Sequence, residues 1–295
     1  MNKKIMTAAV VLLSGFGLFA GAPEAKEVNR TYHKHHKIYD QGKYYQISRD
    51  DVSYLIYFQW VKATQTKDGQ VLIGLPEPSF WSGFNRRGML NLQVNGISVY
   101  DLEPKEIKVF QQEKQAGIDV EYNFSGARMT FRFFMDDVSP VLHVEMIPSP
   151  KNKPGAIKTL QLDFGVDPSI TGKPNGSYKR ELLSPVKKYD KRGWADLGPK
   201  DEYLVMYDTK YGYGKDNPKS QSPVYLKLDP SMLEKGRIHY GPASGISFRL
   251  TYKPDCPKIA LDILELRKQL TNEEFLEYLA AKNLIAKPEA APAEK

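Results

Sequence analysis

Cysteine is nearly absent: one residue, Cys256, stands in a chain of 295. A single thiol excludes an internal disulfide framework and any Cys-rich zinc site. Histidine is scarce too, with five in all, three of them in His33-Lys34-His35-His36. No Asp, Glu or Cys there completes a ligand set, so that stretch reads as a basic arm and no metal is expected. The sequence has no Gly-x-Ser-x-Gly elbow, no phosphate-binding Gly-Lys-Ser/Thr loop and no His-Glu-x-x-His pair, which removes the usual signatures of hydrolases, nucleotide binders and zinc proteases. It also lacks helix-turn-helix, zinc-finger and RNA-binding signatures, so nucleic acid is not an expected partner. No repeat of fixed period is detectable, and no residue pattern calls for a cofactor.

What the chain does have is a leader-like start. Lys3 and Lys4 precede an apolar stretch from Ile5 to about Ala22 that ends in small residues, the pattern of a secretory signal. Gly15, Gly17 and Gly21 weaken it as a permanent anchor, and no later segment approaches the length of a bilayer span. Cleavage is expected after Ala20 or Ala22, with Pro23 disfavouring the second. The expectation is a periplasmic or secreted protein with no stable membrane span after cleavage. The whole chain carries 42 basic and 35 acidic side chains; losing Lys3 and Lys4 with the leader leaves a formal charge of +5. So modest an excess favours anionic partners at long range and says nothing of fold.

Composition points to strands: 18 Tyr and 13 Phe are punctuated by 22 Gly and 20 Pro. Two hairpins can be paired by counting. Asn95-Gly96 suits a two-residue turn with positive φ at both positions, setting Val94 opposite Ile97 and Leu92 opposite Val99. Ser125-Gly126 is the second, pairing Phe124 with Ala127, Tyr122 with Met129, Val120 with Phe131 and Ile118 with Phe133. Its other face carries Asn123 with Arg128, Glu121 with Thr130 and Asp119 with Arg132, the pattern of a half-solvated antiparallel sheet. Further strands are expected at 44–49, 53–63, 70–75, 107–113, 141–147, 157–165, 202–208, 223–228 and 246–252, the second of them buried on both faces. Residues 259–266 fit a strand or a helix, with strand preferred. Residues 166–200 read as a long surface excursion.

One helix is marked. Thr271 with Glu274 forms a capping box, Leu270 can staple onto Phe275, and Phe275, Leu276, Leu279 and Ala280 make an apolar stripe. The chain therefore divides into a signal segment at 1–22, a polar arm at 23–43, a β-sandwich domain at 44–285 including the helix at 271–283, and a disordered tail at 286–295. The fold class is all-β: a large antiparallel sandwich, jelly-roll-like or larger, with one C-terminal helix. The order of these strands, with Asp137-Val-Ser-Pro-Val-Leu-His-Val-Glu145 in mid-chain, is similar to the large sandwiches of the galactose-mutarotase type. The similarity covers about the central half and implies fold alone.

Two aromatic loops suggest binding. Pro76 to Gly88 places Trp81 and Phe84, with Phe80, beside Asn85, Arg86 and Arg87. Tyr189 to Asp196 repeats the theme around Trp194. Aromatic faces stack on sugar rings, while Asn and Arg bond hydroxyls and carboxylates. A polysaccharide or oligosaccharide is thus the expected ligand, possible acidic types included. His143 and Glu145, two apart on a strand, share a face and are the candidate acid–base pair if the protein is a carbohydrate-active epimerase, lyase or hydrolase. A structural or assembly protein of the envelope, with a protein partner, is the third reading.

Overall fold

The computed structural model describes residues 21–28, 42–50, 52–62, 67–74, 90–166, 180–208, 223–240, 246–266 and 270–286. They form three antiparallel sheets, with strands numbered in chain order. A four-stranded sheet runs β1 (Glu24–Val28), β2 (Gly42–Arg49), β3 (Val52–Lys62), β4 (Lys67–Gly74). A six-stranded sheet has the order β14 (Gly193–Asp196), β17 (Leu233–Tyr240), β18 (Ile246–Tyr252), β11 (Leu160–Val166), β5 (Leu90–Val94), β6 (Ile97–Ser98). The nine-stranded sheet begins with β13 (Lys188–Tyr189), β12 (Arg180–Leu183), β15 (Tyr203–Asp208) and β16 (Val224–Leu228). It continues through β19 (Ile259–Leu264), β10 (Leu142–Pro148), β9 (Ala127–Asp136), β8 (Gln115–Phe124) and β7 (Glu106–Gln111).

All three sheets turn apolar faces into one core, which makes the protein an all-β antiparallel sandwich. Phe58 of β3 meets Phe133 of β9 edge-on at 5.8 Å, and Phe164 stacks on Phe248 within the six-stranded sheet at 4.3 Å. Burial of these faces drives the collapse. Tyr54 to Phe58 are all buried, because β3 faces the shared core on one side while Leu55 and Tyr57 pack with Tyr44 on the other. That double burial is what its unbroken aromatic run requires.

Both counted hairpins form. Asn95 and Gly96 take φ of 54° and 78° and join Val94 to Ile97. Val99, however, leaves the ladder: the Ser98 side chain accepts from the Tyr100 N–H and starts a short 3-10 turn, so β6 stops after two residues. Around Ser125-Gly126 the pairing follows the counted register from Phe124 with Ala127 to Ile118 with Phe133. Residues 259–264 are strand β19, and α1 (Asn272–Ala281) starts at Thr271 with both halves of its capping box made.

Three assignments change. Glu24–Val28, placed in the polar arm, is edge strand β1 because Ala25 packs into the core while its polar neighbours face water. The expected excursion at 166–200 contains β12, β13 and β14. Strand β17 was not expected, since a register shift between Leu233 and Lys235 breaks the alternation that would have marked it.

Candidate functional site

Alternation puts one face of the six-stranded sheet into the core and leaves the other polar. Its registers set out two rows across the strands. One runs Asp196, Arg237, Arg249, Asp163, Asn91. The next runs Lys235, Thr251, Gln161, Gln93, Ser98. Trp194 stands beside Asp196 on edge strand β14, opposite His239.

Trp194 is 43% exposed and is the one aromatic among the exposed large hydrophobic residues described. The guanidinium carbons of Arg237 and Arg249 lie 5.3 Å and 5.5 Å from its ring centroid, cation–π distances. His239 meets the ring edge-on at 5.3 Å. Each arginine is also held by a carboxylate: Arg237 Nε is 3.3 Å from Asp196 Oδ1, and Arg249 Nε donates to Asp163 Oδ1 at 3.1 Å. Asp163 Oδ2 accepts from the amides of Gln161 (2.8 Å) and Gln93 (3.2 Å), and the Ser98 hydroxyl donates to Asn91 Oδ1 at 2.6 Å. An exposed indole thus stands at one edge of a lattice of donors and acceptors that already hold one another in place. A guanidinium has five N–H donors, more than one carboxylate contact uses, so both arginines retain capacity for an anionic or hydroxyl-bearing ligand.

His143 and Glu145 lie on the outer face of the nine-stranded sheet, each with its own partners. His143 Nδ1 is 2.8 Å from Asp262 Oδ1 on β19, and Nε2 is 3.2 Å from Asp136 Oδ2 at the end of β9. Its ring stacks on Phe134 at 4.7 Å. Glu145 forms an ion pair with Lys258, and its neighbour Arg132 makes two 2.8 Å bonds to Asp119. Burial alone would lower the His143 pKa, but Asp262 and then Asp136 outweigh it, so the value lies above the ordinary 6.5. A raised folded-state pKa means that protonated His143 stabilises the fold at pH below its unfolded value, and that this stabilisation is lost as pH rises through the folded value. The melting-temperature difference between the parent and His143→Gln should therefore be largest at about pH 5.5 and shrink towards about pH 8.5. A difference independent of pH would contradict the ion-pair account.

Trp81, Phe84, Asn85, Arg86 and Arg87 lie outside the described residues. Of the sequence candidates, the structure describes Trp194, His143 and Glu145, and places Trp194 on a different sheet from the other two. Arg237, Arg249, Asp163 and His239 were missed: they lie on three other strands, and only the cross-strand register brings Arg237, Arg249 and His239 to Trp194 and Asp163 to Arg249. Among the described residues no group of His, Cys, Asp and Glu could hold a metal ion, and no helix is long and apolar enough to cross a membrane.

No family model matches the chain, and no curated protein matches it by sequence. Solved structures resemble it in shape. An α-N-acetylgalactosaminidase from Bifidobacterium bifidum aligns with a TM-score of 0.49 and 8% identity over 81% of this chain and 38% of its own. A GH36 α-galactosidase from Geobacillus stearothermophilus gives 0.36 and 8% over 82% and 40%. A chain assigned as an aldose 1-epimerase from Klebsiella pneumoniae gives 0.41 and 10% over 89% and 90%. This chain spans well under half the length of the galactosaminidase and galactosidase it matches. All three scores fall below 0.5, so the functional reading rests on this chain's own side chains.

Proposed function

We propose that this is an exported carbohydrate-binding protein, periplasmic or secreted, whose binding surface is the outer face of the six-stranded sheet. The observation that carries the reading is Trp194, an exposed indole against Arg237 and Arg249 at one end of a row of polar side chains ordered by bonds to one another. Sugars offer an apolar ring face and a rim of hydroxyls, and a surface of this composition meets both. Preordered side chains lose less freedom on binding.

The shape of the polar field specifies the reading further. Along each strand it is only two or three side chains long, whereas across the sheet it runs from Asp196 to Asn91 over five strands. Strands repeat at about 4.8 Å, close to the length of one pyranose unit in an extended glycan. The ligand is therefore an unbranched chain lying across the strands. Arg237, Arg249 and Lys235 set against Asp163 and Asp196 favour one that carries acidic groups.

A glycan array of neutral and acidic polysaccharides, followed by calorimetry on a size ladder of oligogalacturonates, tests this. Affinity should rise about tenfold between two and five units, level off for longer chains, and fall as salt is added. A blank array from folded protein would overturn the binding reading, and equal affinity at every length would overturn the cross-strand placement.

In the competing enzyme reading, His143 and Glu145 act as acid and base. It requires His143 to release at least one of its two carboxylates before it could exchange a proton with a sugar. No observed contact favours that rearrangement.

A further inference from the structure

The first described residues are built into the fold. The Gly21 N–H donates to Asp50 Oδ1 at 2.6 Å. Pro23 is buried, and its carbonyl accepts from the Gln111 side-chain amide, whose oxygen in turn accepts from the Ala25 N–H. Pairing with β2 then starts at Glu24 with Ser48.

Asp50 is one end of a chain of polar contacts. Its Oδ2 lies 3.4 Å from Arg49 Nε. Arg49, 9% exposed, donates through Nη1 to the backbone oxygens of Asp136 (3.0 Å) and Ser139 (3.3 Å). Asp136 fixes that turn by accepting from the Val138 and Ser139 N–H groups, and faces His143 with its other oxygen.

We infer that export processing cuts the Ala20–Gly21 bond, and that the new α-ammonium of Gly21 forms an ion pair with Asp50. Hydrolysis by a signal peptidase adds one water: Ala20 leaves as a carboxylate, and the Gly21 nitrogen takes up protons to become an ammonium. The nitrogen that already donates to Asp50 as a neutral amide then does so with a full positive charge, which strengthens the bond. The other cut suggested by sequence, after Ala22, would put a charged terminus on buried Pro23, and burying a charge is costly. It would also discard the Gly21–Asp50 contact.

This inference rests on the export reading, and one experiment separates the two. The full chain is expressed in an export-competent bacterium, and intact mass and N-terminal sequence are read on the exported and cytoplasmic fractions. The expected result is exported protein beginning Gly-Ala-Pro-Glu. Exported protein that starts at Pro23 or later, or that keeps its leader, would overturn the cut at Ala20 while export stands. Full-length protein found only in the cytoplasm would overturn both. The ion pair has its own readout: protein starting at Gly21 with a free amine should melt a few degrees above the same protein acetylated there, and Asp50→Asn should abolish that difference. Equal melting of the free and acetylated forms of the parent would overturn the ion pair.

Discussion

Trp194→Ala should weaken binding of an acidic oligosaccharide by about thirtyfold, the effect of losing roughly 2 kcal/mol on truncating an aromatic anchor. The fold should barely respond. Trp194 is on an edge strand with 43% of its surface exposed, and its attractions to Arg237 and Arg249 are of the kind that contribute about 0.5–1 kcal/mol at exposed sites. Calorimetry and thermal melting on the same sample separate the two effects. Trp194→Tyr should keep much of the affinity, because it restores an aromatic face. A large fall in melting temperature with unchanged affinity would make Trp194 a structural residue and remove the proposed surface.

The second large effect is on stability. Gly117 of β8 sits opposite Phe134, and a Cβ at this position would lie 2.1 Å from the Phe133 carbonyl oxygen and 2.6 Å from Phe134 Cβ. The obstacle is mostly backbone of the adjoining strand β9, which is itself held by β10 on its other side, so no side-chain rotation clears it. Gly117→Ala should therefore destabilise the protein by about 3 kcal/mol, the upper part of the range for overpacking, seen as a melting temperature lower by several degrees. Because Phe134 stacks on His143, the pH dependence of stability assigned to His143 should also weaken in this variant. Gly96→Ala makes a useful comparison: a Cβ there meets nothing within 4 Å, and its cost comes only from a φ of 78°. Equal melting of Gly117→Ala and the parent would show that β8 and β9 have room to part.

Local signals made much of the fold legible. Asn95-Gly96 and Ser125-Gly126 each specify a turn, and a turn fixes the register of every pair beyond it. Thr271 and Glu274 mark the start of α1 in the same local way. The sequence was weakest where a strand is short or its alternation is interrupted. Strand β14 has four residues, with Gly193 and Ala195 on its inward side, and so carries almost no apolar signature. Strand β17 changes phase at Leu233/Lys235. These two strands carry Trp194, Arg237 and His239, so the proposed surface lies where periodicity fails. Trp194 itself stands out in the sequence as an aromatic among charges. Its partner Arg249 and that arginine's own partner Asp163 lie 55 and 31 residues from Trp194 in sequence, and only pairing of β17 with β18 and of β18 with β11 aligns them in one row. His143 and Glu145 do share a face, as a spacing of two requires, but spacing could not reveal that Asp262 and Asp136 face both ring nitrogens of His143.

Amide hydrogen exchange, measured with and without a saturating hexagalacturonate, reads out where a glycan lies on the protein. Binding at the Trp194 surface requires slowed exchange concentrated in β14, β17, β18 and β11, with the outer strands of the nine-stranded sheet unchanged. Protection centred instead on β9, β10 and β19, around His143 and Glu145, would contradict it and move the ligand to the other sheet.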